Sequence, residues 1–581
     1  MMTYTQQYRE PGLGGFRRSL NVWGVAVFLV VMLSGCIPAS TKQLAQKTMP
    51  ATRIVYPDSA YYHFLLAQQD RSAGRLEAAV LQIEKAVKLD PDSGYLKKEL
   101  AGLWSEQKKN EKALEILKEV IEQDPDDVDA LLMASHAQLA LNRTDDAVTT
   151  LEKVIAKDAG REESYHTLGG IYIGREDYKN ALRVYRQLVK EHPESFVGYF
   201  FLGKINTNLG RPEAAEKAFQ KTLLLAPDLE EPRFRLIELY QSQGQAEKAT
   251  ALYREILTRN PHSVRAAMGL ALLNHQQPEA AARLENLGRQ SLADKNVISV
   301  LIRQYIDTEK YDDAIILTEG MLKGAPDSDT LHYLAGLAYD KKENQAMVLH
   351  HFRQVTPQTK FYKYAALQIG FILHEQGKTD EAISQLETLI RQFPEYVEPF
   401  LYLGIFHEDL KQYEAALDSL EKGLRVEPEN TRLLFREGVI FDKLGNKEKC
   451  IQTMREVIRL DPKHANALNY LGYTYADLGK NLPEAEDLIK AAVQLKPEDG
   501  YITDSLGWIY YKTGRYAEAL KVLLKAGRLI PDDPTILEHI GDAYLKTEGR
   551  RKALEYYRRS LKVKKDDTGA IEKKIQDLTG E

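Results

Sequence analysis

The chain has 581 residues, 28% of them charged and 44% hydrophobic, the balance of a folded chain and not of a disordered one. A formal net charge of -6 supplies no basic face for nucleic acid, and two cysteines exclude both a disulfide framework and a thiolate-rich metal centre. No stretch reaches the roughly 20 apolar residues that a membrane-spanning helix needs.

Residues 1–35 read as an export signal. Arg17 and Arg18 precede an apolar run from Val22 to Leu33, which Leu33-Ser34-Gly35-Cys36 closes. Small residues before a cysteine at that place resemble the bacterial lipobox. The resemblance implies cleavage before Cys36 and acylation of its thiol and new amino group. Several acyl chains hold durably where one does not, at roughly 0.8 kcal/mol per buried methylene. Ile37 follows the cysteine where aspartate would retain the chain, which by the same resemblance implies the outer membrane, facing the periplasm. Ser19-Leu20-Asn21 after the arginines lacks the rest of a twin-arginine motif. Gly12-Leu13-Gly14-Gly15 falls in the removed segment and is no phosphate loop. Residues 36–57 are then the lipidated cysteine and a tether, with three prolines and no hydrophobic period.

Repetition governs the rest. Pro57, Pro91, Pro125, Pro193, Pro227 and Pro261 stand 34 or 68 residues apart, as later do Pro394, Pro428 and Pro462. Carried to Lys565, the marks count fifteen units: thirteen of 34 residues, one of 31 and one of 35. Small residues recur in phase with them. Gly203, Gly336, Gly370, Gly404, Gly438, Gly472, Gly507 and Gly541 hold one slot, and a second runs from Ala79 and Ala113 to Ala519 and Ala553. Glycine inside a helix costs about 1 kcal/mol against alanine, so its recurrence points to two helices crossing closely. Gly74, Gly210, Gly244, Gly377, Gly445, Gly479 and Gly514 suit a left-handed residue after the first helix, and the proline stops the second.

Tyr165, Leu168, Gly169, Tyr172, Ala181, Tyr185 and Pro193 make one whole unit that resembles the tetratricopeptide repeat, as do the copies over residues 58–565. The resemblance implies an all-α solenoid, a right-handed superhelix of about fifteen helix–turn–helix units forming one array. Residues 566–581 supply a capping helix and tail. The 35-residue unit carries its extra residue at Lys480-Asn481; the 31-residue unit, residues 264–294, loses three in the turn around His275-Gln276-Gln277-Pro278. Val348 in the alanine slot and an early Pro357 mark residues 329–362 as a second irregular unit, so looser packing or altered curvature is expected within 264–362.

Enzyme chemistry finds no footing in the pattern. Cys450 occupies an alanine slot and reads as a small packing residue. His350-His351 are neighbours pointing about 100° apart on a helix and read as surface histidines. Metal, cofactor and catalytic residues are not expected, and HExxH, GxSxG and GxxxxGK[ST] do not occur.

Binding remains. By the family resemblance the first helix of each unit lines a concave face, which places Phe200, Phe201 and Lys204; Tyr364, Leu367 and Phe371; Tyr402; Phe435 and Arg436; Asn469, Tyr470 and Tyr473; and Tyr501, Asp504, Trp508 and Tyr511 on it. Rings with interleaved amides and charges suit a protein or peptide partner. The passage from Leu468 to Ala526 resembles long outer-membrane lipoproteins of this repeat family. Some of these tether a carboxyl-terminal processing protease and present cell-wall hydrolases to it. The expectation is a lipid-anchored, periplasm-facing scaffold and protease adaptor. A structural part of an exopolysaccharide or pilus export machine is the alternative, and a cytoplasmic scaffold follows if the signal is misread.

Overall fold

The structure is a computed structural model that describes residues 58–292, 295–564 and 568–580. Cys36, the signal and the tether lie outside the described residues. Those described form 31 α-helices and no strand. Thirty of the helices make fifteen consecutive pairs, and Gly569–Thr579 follows them. The described helices group into two compact units, one ending at Ser291 and the other beginning at Leu292, near the end of the shortened seventh repeat.

The fourteenth repeat shows how residues dictate the pair. Asp499 caps its first helix, Gly500–Lys512, by accepting from the backbone amides of Tyr501 and Ile502 at 3.0 and 3.1 Å. Gly514 then turns the chain at φ 79°, and the second helix runs Tyr516–Leu529 until Pro531 forbids continuation. At the crossing, a Cβ built on Gly507 would lie 2.5 Å from Leu523 Cγ, so only glycine admits this approach. All thirteen alanines of the second slot are buried, and every one but Ala280 has no exposed surface. Lys108, Asn142, Glu176, Glu309, Glu343 and Lys411 take the same left-handed turn without glycine, at φ 56° to 62°.

The irregular repeats differ in helix length. The seventh shortens its first helix to Val264–Leu273, ten residues against thirteen in Phe196–Asn208, while four residues, 274–277, connect it to Pro278–Ser291. Its contraction therefore comes from the helix's last turn and not, as expected, from the connection. The ninth repeat keeps an eight-residue second helix, Gln345–Phe352, and an irregular segment follows before Tyr362. In the thirteenth, the extra residue makes two left-handed positions, Gly479 at φ 64° and Asn481 at φ 48°.

Several consecutive first helices approach one another within each unit. Gly94–Glu106 meets Val128–Ala140, and Phe196–Asn208 meets Glu231–Ser242 in the unit ending at Ser291. Beyond it, Tyr362–Glu375, Glu398–Asp409 and Thr431–Lys443 meet in series, as do Ala465–Leu478, Gly500–Lys512 and Pro534–Thr547. Second helices do not approach one another to the same extent. The first helices thus form one face of each unit, with the helix–helix core behind it.

A candidate binding face

In the unit ending at Ser291, Phe200 and Phe201 are half-buried, and Lys204 Nζ sits 5.9 and 5.4 Å from their ring centroids. Phe201 also stacks on the buried Tyr185 at 4.9 Å. The chain has supplied its own cation to these rings.

From Leu292 onward the predicted residues separate into two sets. Phe435, Arg436, Asn469, Tyr470 and Asp504 are buried, which corrects their reading as exposed lining. They face neighbouring first helices. Arg436 Nη1 donates to Glu408 Oε2 of the preceding repeat at 3.2 Å, with both side chains buried. Burial pushes the Glu408 carboxyl up in spite of Arg436, and its second oxygen is buried without a hydrogen-bond partner. Tyr470 donates its hydroxyl to Asp442 Oδ2 at 3.0 Å, and Phe435 packs edge-on against the Tyr470 ring. His539 Nδ1 lies 2.9 and 3.0 Å from the two Asp504 oxygens. Burial opposes a charge on His539, but Asp504, with Asp542 and Glu538 behind it, raises its pKa overall. Trp508 stacks on that imidazole at 4.0 Å and on Tyr511 at 5.0 Å, covering the pair. Tyr473 and Tyr501 are half-buried beside them. Lys574 of the last helix ends this polar series with contacts of 2.8 Å to Glu538 and Asp542.

Tyr364, Phe371 and Tyr402 form the second set. With the buried Leu367 they line a pocket of about 450 Å³ where the ninth, tenth and eleventh repeats meet. Its lining comes chiefly from the helices Asp329–Lys341 and Tyr362–Glu375 and the turn after the first of them. Phe371 and Tyr402 stand 6.4 Å apart at 73°. Burial pushes the Tyr364 hydroxyl up to about 12. Asp340, Glu343, Gln368 and Glu375 add three carboxylates and an amide to the walls, beside Lys341, Gln345 and Ile372. None of these four is among the residues that the sequence singles out. Their one signal is the shared period: Asp340 stands four residues after Gly336, as Glu408 stands four after Gly404.

Cys450 is buried, and burial pushes its thiol up to about 12, so the slot reading holds. His351 is a correction. His350 is exposed, but His351 is buried among Tyr339, His332 and Glu319. Its Nδ1 lies 3.0 Å from His332 Nδ1 and its Nε2 3.1 Å from Glu319 Oε1, while His332 Nε2 faces the Pro326 carbonyl at 2.8 Å. The partners come from other helices, which the adjacency of the two histidines in sequence does not reveal. No group of three or more metal-ligating side chains stands together among the described residues.

Models described as tetratricopeptide repeat match residues 105–169 and 373–434, and residues 167–229, 234–287 and 435–500. A third, described as TPR repeat, matches residues 507–547, and the three together span more than half of the chain. Protein CTR9 homolog of Arabidopsis thaliana is 24% identical over 362 residues, 55% of this chain and 32% of the relative. TPR repeat-containing protein PA4667 of Pseudomonas aeruginosa is 48% identical over 59 residues, 10% of each. The chain thus spans well under half the length of either curated relative. Among solved structures, yeast Tom70 aligns over 90% of this chain and 96% of its own at 14% identity, with a TM-score of 0.31. The chain belongs to the tetratricopeptide repeat family.

Proposed function

We propose that this protein is a scaffold whose first-helix face, around Tyr364, Phe371 and Tyr402, binds segments of other proteins, and that Cys36 anchors it by lipid to the outer membrane facing the periplasm. The pocket carries the reading. Three half-buried rings and a buried leucine at one opening offer more apolar contact than the stitched residues of repeats twelve to fifteen. Anchoring a binding face at a membrane raises the local concentration of whatever two proteins share it. An adaptor that delivers substrates to an envelope protease is the fullest form of this role.

Two experiments test it. A photoreactive phenylalanine analogue placed at Phe371 or Tyr402 should cross-link envelope proteins identifiable by mass spectrometry, whereas one at Glu387, exposed on a second helix, should not. Equal cross-linking from all three sites refutes the binding face. Metabolic labelling with palmitate should mark the protein and be lost on Cys36→Ser. Absence of label in the parent refutes the anchor and leaves the face to a cytoplasmic scaffold.

A further inference from the structure

We infer that the pocket between the ninth and tenth repeats takes the side chain of a lysine or arginine presented by a partner protein. The inference rests on the binding-face reading and names the chemistry that face selects.

The repeat itself supplies the first argument. Glu408 and Asp442 each stand four residues after their small-slot glycines, Gly404 and Gly438, and each is bonded to a residue 28 positions on, Arg436 and Tyr470. Asp340 holds the same place after Gly336, and 28 positions on stands Gln368. Both line the pocket, yet no hydrogen bond or ion pair joins Asp340 to any described side chain. A carboxylate whose counterparts are bonded into the next repeat is here left facing an opening.

Electrostatics agree. Asp340 is half-buried, and burial raises its carboxyl, the adjacent Lys341 countering only in part. Glu343 has no side-chain partner among the described residues, and Glu375 accepts one hydrogen bond, from Gln345 Nε2 at 3.0 Å. Lys341 is the one cation on the walls. Nearby Arg303, which faces Tyr333 and Tyr364, lies 3.9 Å from Asp307. An anionic guest meets three carboxylates, and a purely apolar one desolvates Asp340 without compensation. A lysine or arginine instead lays its aliphatic stem on the rings and carries its charge to the carboxylate.

The rings make the third argument. Elsewhere the chain places its own cation over half-buried aromatics: Lys204 over Phe200 and Phe201, Lys363 over Phe393 at 4.7 Å, and Lys512 over Trp508 at 5.2 Å. No lysine or arginine among the described residues lies over Tyr364 or Phe371. Tyr364 packs edge-on with Tyr333 and Phe352, and Phe371 with Tyr402, so the contacts these rings make are aromatic and a cation is left for a partner to supply.

The test uses the full chain and fluorescein-labelled twelve-residue peptides that share one host sequence and differ at a central Arg, Lys, Leu, Gln or Glu. Fluorescence anisotropy should show the Arg and Lys peptides binding about five- to tenfold more tightly than the Leu peptide, with Glu weakest. Asp340→Asn should abolish the preference and leave the Leu peptide unchanged. Gln368→Arg, which supplies an internal cation at the 28-residue spacing, should abolish it as well. Peptides that bind the parent alike, or a preference that survives both substitutions, overturn the inference. Loss of binding by every peptide on Phe371→Ala with Tyr402→Ala then shows that the face itself still stands. Binding of the whole series that ignores this double substitution overturns the face and the inference together.

Discussion

Replacing Gly472 with alanine sets helix propensity directly against helix approach. Alanine in the interior of Ala465–Leu478 should gain up to about 1 kcal/mol in intrinsic preference. The new Cβ, however, would lie 2.6 Å from Ile489 Cγ1 and 2.9 Å from the Ala485 carbonyl oxygen. Ile489 can rotate, but a backbone oxygen moves only with its helix, so the pair must separate. Overpacking of this kind costs about 1–3 kcal/mol, and the backbone contact places it in the upper half, for a net loss of about 1–2 kcal/mol. Gly170 is the control: it lies within Glu162–Gly174, is exposed, and a Cβ there meets nothing within 4 Å. Gly170→Ala should therefore stabilise. In a stacked array each repeat chiefly contacts its neighbours, so the readout should be local. Hydrogen exchange followed by mass spectrometry should show faster exchange in peptides from 465–499 for Gly472→Ala and slower exchange around 162–174 for Gly170→Ala. Equal or greater protection in Gly472→Ala refutes close approach as the reason for glycine at this slot.

Other consequences follow from buried groups. Arg436→Met should destabilise by about 3–5 kcal/mol because it strands the buried Glu408, and Glu408→Leu added to it should restore most of the loss in denaturant unfolding. Cys450 should resist iodoacetamide in the folded protein carrying Cys36→Ser and react fully once unfolded; stoichiometric labelling of the native state would contradict its burial. Burial depresses the pKa of His332, despite its Pro326 contact, and the His351 hydrogen bond depresses that of Glu319. The unfolded chain therefore takes up protons first, and the thermal midpoint of residues 292–581 should fall as pH drops below about 6.5. His539 has the opposite sign: its pKa is raised, so the stability that His539→Gln removes should be full in mild acid and shrink as pH rises through the raised value.

Much of the architecture was legible in the sequence because it depends on residues whose physical alternatives are few. Alanine at Ala485 and glycine at Gly472 are fixed by the distance between two helices of one repeat, and Gly514 by a left-handed turn within a few residues of itself. Such constraints act within a single repeat and return with every period. The face was legible only as a set of positions. Whether a residue on it is offered or consumed depends on the residue one repeat away. Arg436 was read as a ligand contact and is consumed by Glu408, and Asp504 by His539. The same blindness hid His351, whose neighbours His332 and Glu319 lie 19 and 32 positions away.

That dependence also explains why the pocket opens where it does. Where bonds join successive first helices, the face keeps fewer polar groups for a partner. The bonds Glu408 to Arg436, Asp442 to Tyr470 and Asp504 to His539 spend the charge of repeats eleven to fifteen inside the protein. Buried pairs of this kind contribute little net stability, because desolvation offsets attraction, but they fix which residues face one another. A single departure from the pattern then suffices to make a site. Gln368, at the position where Arg436 and Tyr470 bond back to the preceding repeat, is not bonded to Asp340, which lines the pocket instead. One carboxylate that the next repeat does not bond is thereby kept at the wall of an opening, where a partner can reach it.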